Sequence, residues 1–142
     1  MNKNTFDIPA VITPLELSDA EWKQRLSPEA YQVLRHEHTE PPSCSPLEPE
    51  SRDGTYFCAG CDLPLFSSDS KFHSGTGWPS FTKPIEARVV EQSTDYKLMY
   101  PRSEVHCARC KGHLGHVFED GPEPTGLRYC MNGVAMVFKP SV

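Results

Sequence analysis

The chain has 142 residues, the size of one domain that buries roughly two thirds of the surface its unfolded form exposes. Hydrophobic residues make up 37% of the sequence and charged residues 23%, and no apolar run approaches the roughly 18 residues that a membrane-spanning helix needs. The net charge of −5 and the lack of a Lys/Arg-rich run disfavour nucleic acid and anionic membranes as partners.

Residues 1–16 are expected to form an irregular N-terminal arm, because Asn, Asp and Pro are mixed there with isolated apolar positions. A basic segment followed by a continuous apolar one does not occur, so we expect no secretory signal and a reducing, cytoplasmic setting.

Residues 17–38 are expected to contain short helices. Ser18 and Glu21 have the spacing of a capping box, which predicts that a helix begins there. Ser27 followed by Pro28 is typical of a second helix start, with Ser as the N-cap and Pro in the first helical position.

Residues 39–54, TEPPSCSPLEPESRDG, are expected to form a long surface loop. Four of the fourteen prolines lie in this segment, and proline sustains neither a helix nor a central strand. The loop contains Cys44.

Residues 55–139 predict an antiparallel β core. Short β-branched and aromatic runs alternate there with Gly and Pro, in the segments TYFC, PLFSS, ARVVEQ, YKLMY, SEVHC, HLGHVF and RYCMNGVAMVF. No helical segment separates these runs, so a parallel sheet of the thioredoxin type is disfavoured. We expect residues 1–142 to form one domain.

Four of the six cysteines stand in two Cys-x-x-Cys pairs, Cys58 with Cys61 and Cys107 with Cys110, separated by 45 residues. Two such turns can aim four thiolates at one tetrahedral zinc ion. Two disulfides or two redox pairs are the alternative, which a reducing setting disfavours, and iron is the chemical competitor of zinc. With four protein ligands, the site is expected to be structural.

Cys130 belongs to neither pair. In a strand, Arg128, Cys130 and Asn132 share one face, whereas Tyr129 and Met131 project to the other. A guanidinium beside a sulfur favours the thiolate. From this strand alone, a buried core thiol is an equally good interpretation.

His113 and His116 lie three residues apart, and Gly112 and Gly115 permit an irregular backbone that could aim both rings at one site. Neutral histidine can take or give a proton near pH 7. Metal ligation is the weaker alternative, because the four cysteines already complete a tetrahedron.

Trp78 follows two glycines in HSGTGWPSF. A constrained loop of this kind displays its Trp, although a core position is the more common place for that residue type. Beside Cys130, Trp78 would form a flat apolar wall.

Five motifs, CAGC, HSGTGWPSF, CARC, GHLGHVF and RYCMN, in this order and spacing resemble those of the methionine-R-sulfoxide reductase (MsrB) family over about residues 27–139. The resemblance implies a mainly β fold: two antiparallel sheets in a compact MsrB/Mss4-like core, with short N-terminal helices. It also implies one structural Zn²⁺ per chain, and a thiol-dependent reduction of the R epimer of methionine sulfoxide.

The resemblance also implies roles for individual residues. The expected nucleophile is Cys130, the groups around the sulfoxide oxygen are His113, His116 and Asn132, the substrate-binding rings are Trp78 and Phe118, and Arg128 lines the site.

Many family members carry a resolving cysteine at the position of Thr76 in this chain. Threonine cannot form a disulfide, and Cys44 is the remaining thiol, so the resemblance implies that Cys44 resolves the Cys130 sulfenic acid and that thioredoxin reduces the resulting disulfide. The expected substrate is methionine sulfoxide in oxidised proteins, with free methionine sulfoxide as a further candidate. The expected state is a monomer.

Two other functions remain open from the sequence. A zinc-ribbon-like adaptor would account for the four cysteines but not for the motifs around Cys130. A thiol-disulfide oxidoreductase that uses its Cys-x-x-Cys pairs would be excluded if all four of those sulfurs bind a metal.

Overall fold

The computed structural model describes residues 8–97 and 100–141. In these ranges the chain consists mainly of antiparallel strands that follow two α-helices, so the predicted mainly β fold is confirmed. Residues 1–7 of the expected arm lie outside the described residues, and residues 8–18 contain neither helix nor strand. None of the described helices is long and apolar enough to cross a membrane.

Both helices begin where the sequence predicts. Helix α1 (Asp19–Arg25) starts at a complete capping box, in which Ser18 and Glu21 each accept a hydrogen bond from the other's backbone N–H. Helix α2 (Pro28–His36) starts after Ser27, whose hydroxyl accepts a hydrogen bond from a backbone N–H in the first turn.

The described residues contain two antiparallel sheets. The smaller sheet has the strand order β2-β1-β9, and the larger sheet has the order β3-β4-β8-β7-β6-β5. The strands are β1 (Gly54–Cys58), β2 (Pro64–Ser67), β3 (Lys71–Phe72), β4 (Ser80–Phe81), β5 (Val90–Asp95), β6 (Arg102–Cys107), β7 (His113–Phe118), β8 (Arg128–Met131) and β9 (Met136–Pro140).

The two sheets pack through buried aromatic rings. Phe66 of β2 stacks on Phe81 of β4 with 4.4 Å between ring centroids, and Tyr56 of β1 meets the same Phe81 ring edge-on at 5.0 Å. All three rings are fully buried. This core covers one face of the larger sheet and leaves the other face free to carry a site.

Two of the strand predictions differ from the structure. The run ARVVEQ begins with a 3-10 turn (Ala87–Val89), and β5 starts only at Val90. In the run YKLMY, the described residues Tyr96, Lys97 and Tyr100 are not in a strand, and residues 98–99 lie outside the described ranges. The two-residue strands β3 and β4 are too short to leave a periodic signal.

Strand β8 has the alternation that its sequence predicts. Tyr129 and Met131 are buried, whereas Arg128 and Cys130 are partly exposed on the opposite face. Because β8 lies between β4 and β7, Cys130 is flanked by two strands and sits in the middle of the larger sheet.

Candidate active site

The four predicted cysteine ligands meet at one buried point. Their sulfur atoms all lie within 4.8 Å of one another, with 3.6 Å between Cys58 and Cys110 and 3.4 Å between Cys61 and Cys107. Four thiolates on a zinc-sized ion would be roughly 3.8 Å apart. All six cysteines are free thiols. The four cysteines therefore form a metal site, and the disulfide alternative is wrong.

Both cysteine pairs close the same backbone turn. The Asp62 N–H donates to the Cys58 carbonyl, and the Lys111 N–H donates to the Cys107 carbonyl, each at 2.9 Å. Asp62 and Lys111 also share a left-handed backbone with φ of 64°. The two turns therefore present their sulfurs in equivalent ways, as two hairpins that face each other.

Three arginines connect the metal site to the rest of the chain. Arg25 of α1 donates to the Gly60 carbonyl at 2.7 Å, Arg35 of α2 donates to the Cys110 carbonyl at 2.8 Å, and Arg109 donates from one turn to the other at 3.0 Å. Four cysteine ligands would leave no coordination position for water on a tetrahedral ion.

A separate cavity of about 230 Å³ opens on the face of the larger sheet that is turned away from the aromatic core. Six of the predicted site residues line this cavity: Trp78, His116, Phe118, Arg128, Cys130 and Asn132. His113 and Cys44 do not line it. The structure therefore brings most of the predicted residues together and sets two of them apart.

The pairing of β7 with β8 sets the positions of the cavity side chains. His116 lies directly opposite Cys130, and Phe118 lies directly opposite Arg128. Residues opposite each other in an antiparallel pair share a face. Gly115 lets the strands approach here, because a Cβ atom at that position would lie 2.1 Å from the Cys130 carbonyl oxygen.

A β-bulge places both histidines on the same side of β7. In a regular strand, residues three apart point to opposite faces, but the pairing of β6 with β7 shifts register between Val105 and His106. The rings of His113 and His116 are consequently only 5.4 Å apart between centroids. This confirms that the glycine-flanked backbone is irregular.

His116 is held by a carboxylate. Its Nε2 lies 2.9 Å from Oδ2 of Asp95, and Arg102 donates to the same oxygen at 2.9 Å. Burial lowers the pKa of His116, although the hydrogen bond to Asp95 opposes this shift. The ring is therefore neutral near pH 7, with Nδ1 left for a ligand in the cavity.

His113 lies deeper and is held by a second carboxylate. Its Nδ1 lies 2.8 Å from Oε2 of Glu104, an oxygen that also contacts Nε2 of His106 at 2.7 Å. Burial lowers the pKa of His113 as well. Its Nε2 is buried without a hydrogen-bond partner among the described residues, which is costly unless a ligand or water supplies one.

Two opposing influences act on the ionisation of the Cys130 thiol. Burial raises the pKa of Cys130, whereas the charge of Arg128 and hydrogen bonds from Thr76 and Arg128 lower it. The thiol is thus held mainly by desolvation in the protonated form, and the guanidinium only moderates this effect. Arg128 does lower the pKa of Cys130, as the sequence predicts, but the sequence does not reveal the burial that opposes it.

The guanidinium of Arg128 is positioned by Asp120 and Phe118. It donates to both carboxylate oxygens of Asp120, at 2.9 and 3.1 Å, and its guanidinium lies 4.5 Å from the centre of the Phe118 ring. Arg128 and Phe118 together form one fixed wall of the cavity.

The Trp loop reaches the cavity through a chain of hydroxyl groups. Ser74 contacts both Thr76 and Ser80 at 2.8 Å. Thr76 lines the same cavity as Cys130, and hydrogen bonding to its hydroxyl lowers the pKa of the Cys130 thiol. Gly75 and Gly77 have φ of 81° and 94°, a region that favours glycine. Thr76 is therefore displayed beside the thiol by the loop that also presents Trp78.

Cys44 faces a different space. It is exposed and lines a mainly apolar cavity of about 630 Å³, which shares Thr39 with the first cavity. The adjoining Ser43 N–H donates to the Gly77 carbonyl at 2.7 Å, so the Pro-rich loop packs against the Trp loop.

Sequence reasoning missed the groups that orient the histidines and the tryptophan. Asp95 and Glu104 lie on neighbouring strands, and Glu40 lies in the Pro-rich loop, where its carbonyl accepts a hydrogen bond from the Trp78 indole at 2.9 Å. None of the three stands in a recognisable motif, so only the strand pairing and loop packing disclose them.

Comparison with known proteins gives a consistent result. The model of the SelR domain family matches residues 26–140. Three proteins named peptide methionine sulfoxide reductase MsrB are similar to this chain. The protein of Agrobacterium fabrum (strain C58) is 51% identical over 87% of this chain and 91% of its own length. The protein of Pseudomonas putida (strain W619) is 54% identical over 84% of this chain and 90% of its own length. The protein of Methanosarcina barkeri (strain Fusaro) is 52% identical over 88% of this chain and 88% of its own length.

The metal site predicts about one metal ion per chain by elemental analysis. Cys107→Ser should lose the metal and unfold at a markedly lower temperature, because the ion joins segments that are distant in the sequence. The same replacement at the exposed Cys44 is the matched control and should retain both metal and stability. A folded, metal-free wild type would contradict the assignment.

The contact between Thr76 and Cys130 predicts an effect on thiol reactivity. Thr76→Val removes a hydrogen bond to the thiolate, so the pKa of Cys130 should rise and its alkylation at pH 7 should slow about tenfold. Thr76→Ser keeps the hydroxyl and should alkylate at nearly the wild-type rate. Equal rates for all three proteins would show that the contact does not act on the thiolate.

Proposed function

Because the chain belongs to the MsrB family of peptide methionine sulfoxide reductases, we propose that its cavity binds a methionine-R-sulfoxide side chain and that Cys130 is the nucleophile. The observation that carries the proposal is the position of Cys130 opposite His116, in a cavity that Trp78 and Asn132 also line.

The proposed reaction begins with the attack of the Cys130 thiolate on the sulfoxide sulfur. The thiol proton of Cys130 passes by way of a histidine to the sulfoxide oxygen as the new S–S bond develops. The resulting hydroxyl group then moves to the cysteine sulfur while the S–O bond of the substrate and the transient S–S bond break, which leaves methionine and a sulfenic acid on Cys130. The methionine sulfur is reduced by two electrons and the cysteine sulfur is oxidised by two. The raised pKa of the free thiol means that substrate binding must assist ionisation.

A histidine relays the proton from the Cys130 thiol to the sulfoxide oxygen. Each ring uses one nitrogen on a carboxylate, Asp95 for His116 and Glu104 for His113, and keeps the other nitrogen for the substrate side. A carboxylate partner stabilises the imidazolium that must form before the oxygen is protonated. His116 lines the cavity and is the proposed donor, while His113 behind it holds an ordered water or the departing oxygen at its unpartnered nitrogen.

Zinc is the proposed metal, with one ion per chain. Four thiolates at nearly tetrahedral spacing suit Zn²⁺, and iron remains the competitor that elemental analysis would separate. The ion stabilises the two turns, and the sulfoxide chemistry stays with the residues of the cavity.

Cys44 is the proposed resolving cysteine. Its thiol faces the neighbouring cavity in this structure, whereas a disulfide needs the two Cα atoms within roughly 7 Å. After methionine leaves, the Cys44 thiol would turn from that cavity toward Cys130. The contact between Ser43 and Gly77 already places this segment against the loop that carries Thr76, which supports a short path.

A thioredoxin-type dithiol is the proposed reductant of that disulfide. A reducing compartment such as the cytoplasm is the proposed setting, because cysteines that bind a metal persist there without being oxidised to disulfides. Methionine sulfoxide in oxidised proteins is the proposed substrate, and the open cavity beside it leaves room for a chain of which the methionine is one residue. The monomeric state, and turnover of free methionine sulfoxide, stay predictions from the sequence.

Cys130→Ser should abolish reduction without affecting the fold or the metal content, since a hydroxyl is a far weaker nucleophile at neutral pH. The wild type should turn over the R epimer and leave the S epimer, as measured by methionine released from each separated epimer. An equal rate on both epimers would refute the proposed arrangement of methyl group and oxygen.

Cys44→Ser should still release about one equivalent of methionine per enzyme in a single turnover, but should lose most of its cycling with thioredoxin, because the sulfenic acid is not resolved. Disulfide mapping of oxidised wild type should join Cys44 to Cys130.

A second replacement supplies the control for the Cys44 variant. Thr76→Cys in the Cys44→Ser background puts a thiol where the Thr76 hydroxyl already contacts Cys130, so cycling should return. A Cys44→Ser protein that cycles at the wild-type rate would mean that the reductant attacks the sulfenic acid directly.

A further inference from the structure

Glu40 contacts two residues of the cavity wall, Trp78 and Asn132, and also the turn that follows Asn132, although it does not line this cavity itself. Its carbonyl accepts a hydrogen bond from the Trp78 indole at 2.9 Å, and its N–H donates to Oδ1 of Asn132 at 2.9 Å. Its carboxylate accepts from the N–H groups of Gly133 at 2.6 Å and Val134 at 3.1 Å. One loop residue thus connects the Trp loop to the end of β8.

The bond to the Glu40 carbonyl determines what Trp78 offers a ligand. Indole has a single polar group, its N–H donor, and Glu40 occupies it. Trp78 therefore presents only apolar ring surface to the cavity. A sulfoxide oxygen placed against this ring would lose its water without gaining a donor, whereas a methyl group would pack favourably.

The bond from the Glu40 N–H determines the orientation of Asn132. The amide oxygen is used by Glu40, and Nδ2 donates one hydrogen to the Leu114 carbonyl at 3.1 Å. A primary amide has two donor hydrogens, so the group left for the cavity is the second hydrogen of Nδ2. Asn132 therefore offers a donor, which suits a sulfoxide oxygen and not a methyl group.

The carboxylate of Glu40 fixes the backbone that makes these two contacts. It caps the 3-10 turn Gly133–Ala135, whose N-cap residue makes no side-chain capping bond of its own. The loop sits close against this turn, because a Cβ atom at Gly133 would lie 1.8 Å from Oγ of Ser45. Loss of the carboxylate should therefore loosen Trp78 and Asn132 together.

We infer that Glu40 is a specificity-determining positioning residue, which makes the Trp78 wall apolar and the Asn132 wall a donor and so sets which sulfoxide epimer fits. The inference rests on the proposed function. The two epimers differ in that the methyl group and the oxygen exchange positions at the sulfur. A site can distinguish them only if one wall favours the methyl group and the other favours the oxygen.

The test variant is Glu40→Gln. An amide has one acceptor oxygen, so it can satisfy only one of the two N–H groups at Gly133 and Val134 and presents a donor to the other. We expect the KM for an R-sulfoxide peptide to rise about tenfold and the preference for R over S to fall by a similar factor. Alkylation of Cys130 should keep its wild-type rate, because the contacts of the thiol with Thr76 and Arg128 are unchanged.

The matched control is Glu50→Gln, the same replacement in the same loop. Glu50 pairs with the neighbouring Arg52, so this variant should keep the KM and epimer preference of the wild type. A Glu40→Gln protein with the KM and epimer preference of the wild type would overturn the inference. A wild type that reduces neither epimer would instead refute the proposed function.

A second measurement needs no turnover. The chain has two tryptophans, so a 1H–15N correlation NMR spectrum should contain two indole N–H signals. The Trp78 signal should stay protected from exchange with solvent when an R-sulfoxide peptide binds to the Cys130→Ser protein. Glu40→Gln should speed exchange at Trp78 and leave that at the buried Trp22 unchanged. Rapid exchange of the Trp78 indole N–H in the free wild type would overturn the inference. So would a hydrogen bond from this N–H to the bound sulfoxide in place of the Glu40 carbonyl.

Discussion

The site depends on the register between β7 and β8. This register places His116 across from Cys130 and Phe118 across from Arg128, so the Cys130 thiol, the His116 ring and the wall formed by Phe118 and Arg128 share one face. A slip by one residue would turn every one of these side chains toward the aromatic core. The bulge in the pairing with β6 then brings His113 to the same face, where a regular strand would direct it away.

The metal site gives this arrangement a rigid frame. Cys58 is the last residue of β1 and Cys107 is the last residue of β6, so an ion held by these cysteines would join the smaller sheet to the larger one. Arg25 and Arg35 extend this connection to the two helices. The four sulfurs of the metal site are thus separate from the thiols of Cys130 and Cys44, the two cysteines proposed for the redox chemistry.

The sequence predicted the features that are encoded locally. The capping box, the two Cys-x-x-Cys turns and the alternation along β8 each lie within a few residues, and each is present in the structure. The carboxylates that orient the site could not be predicted, because Asp95 reaches His116 across β6 and Glu40 reaches Asn132 from a loop 92 residues away in the chain. Burial of the Cys130 thiol is likewise a property of the packed sheet, so the sequence indicated only the opposing influence of Arg128.

The central claim is that the two walls of the cavity differ in chemistry, with an apolar ring on one side and hydrogen-bond donors on the other. The most direct test is a crystal structure of Cys130→Ser protein with a bound methionine-R-sulfoxide peptide. The account predicts that the methyl group packs on the Trp78 ring and that the oxygen lies within hydrogen-bond distance of His116 and Asn132. An oxygen directed at Trp78, or a sulfur out of reach of residue 130, would contradict it.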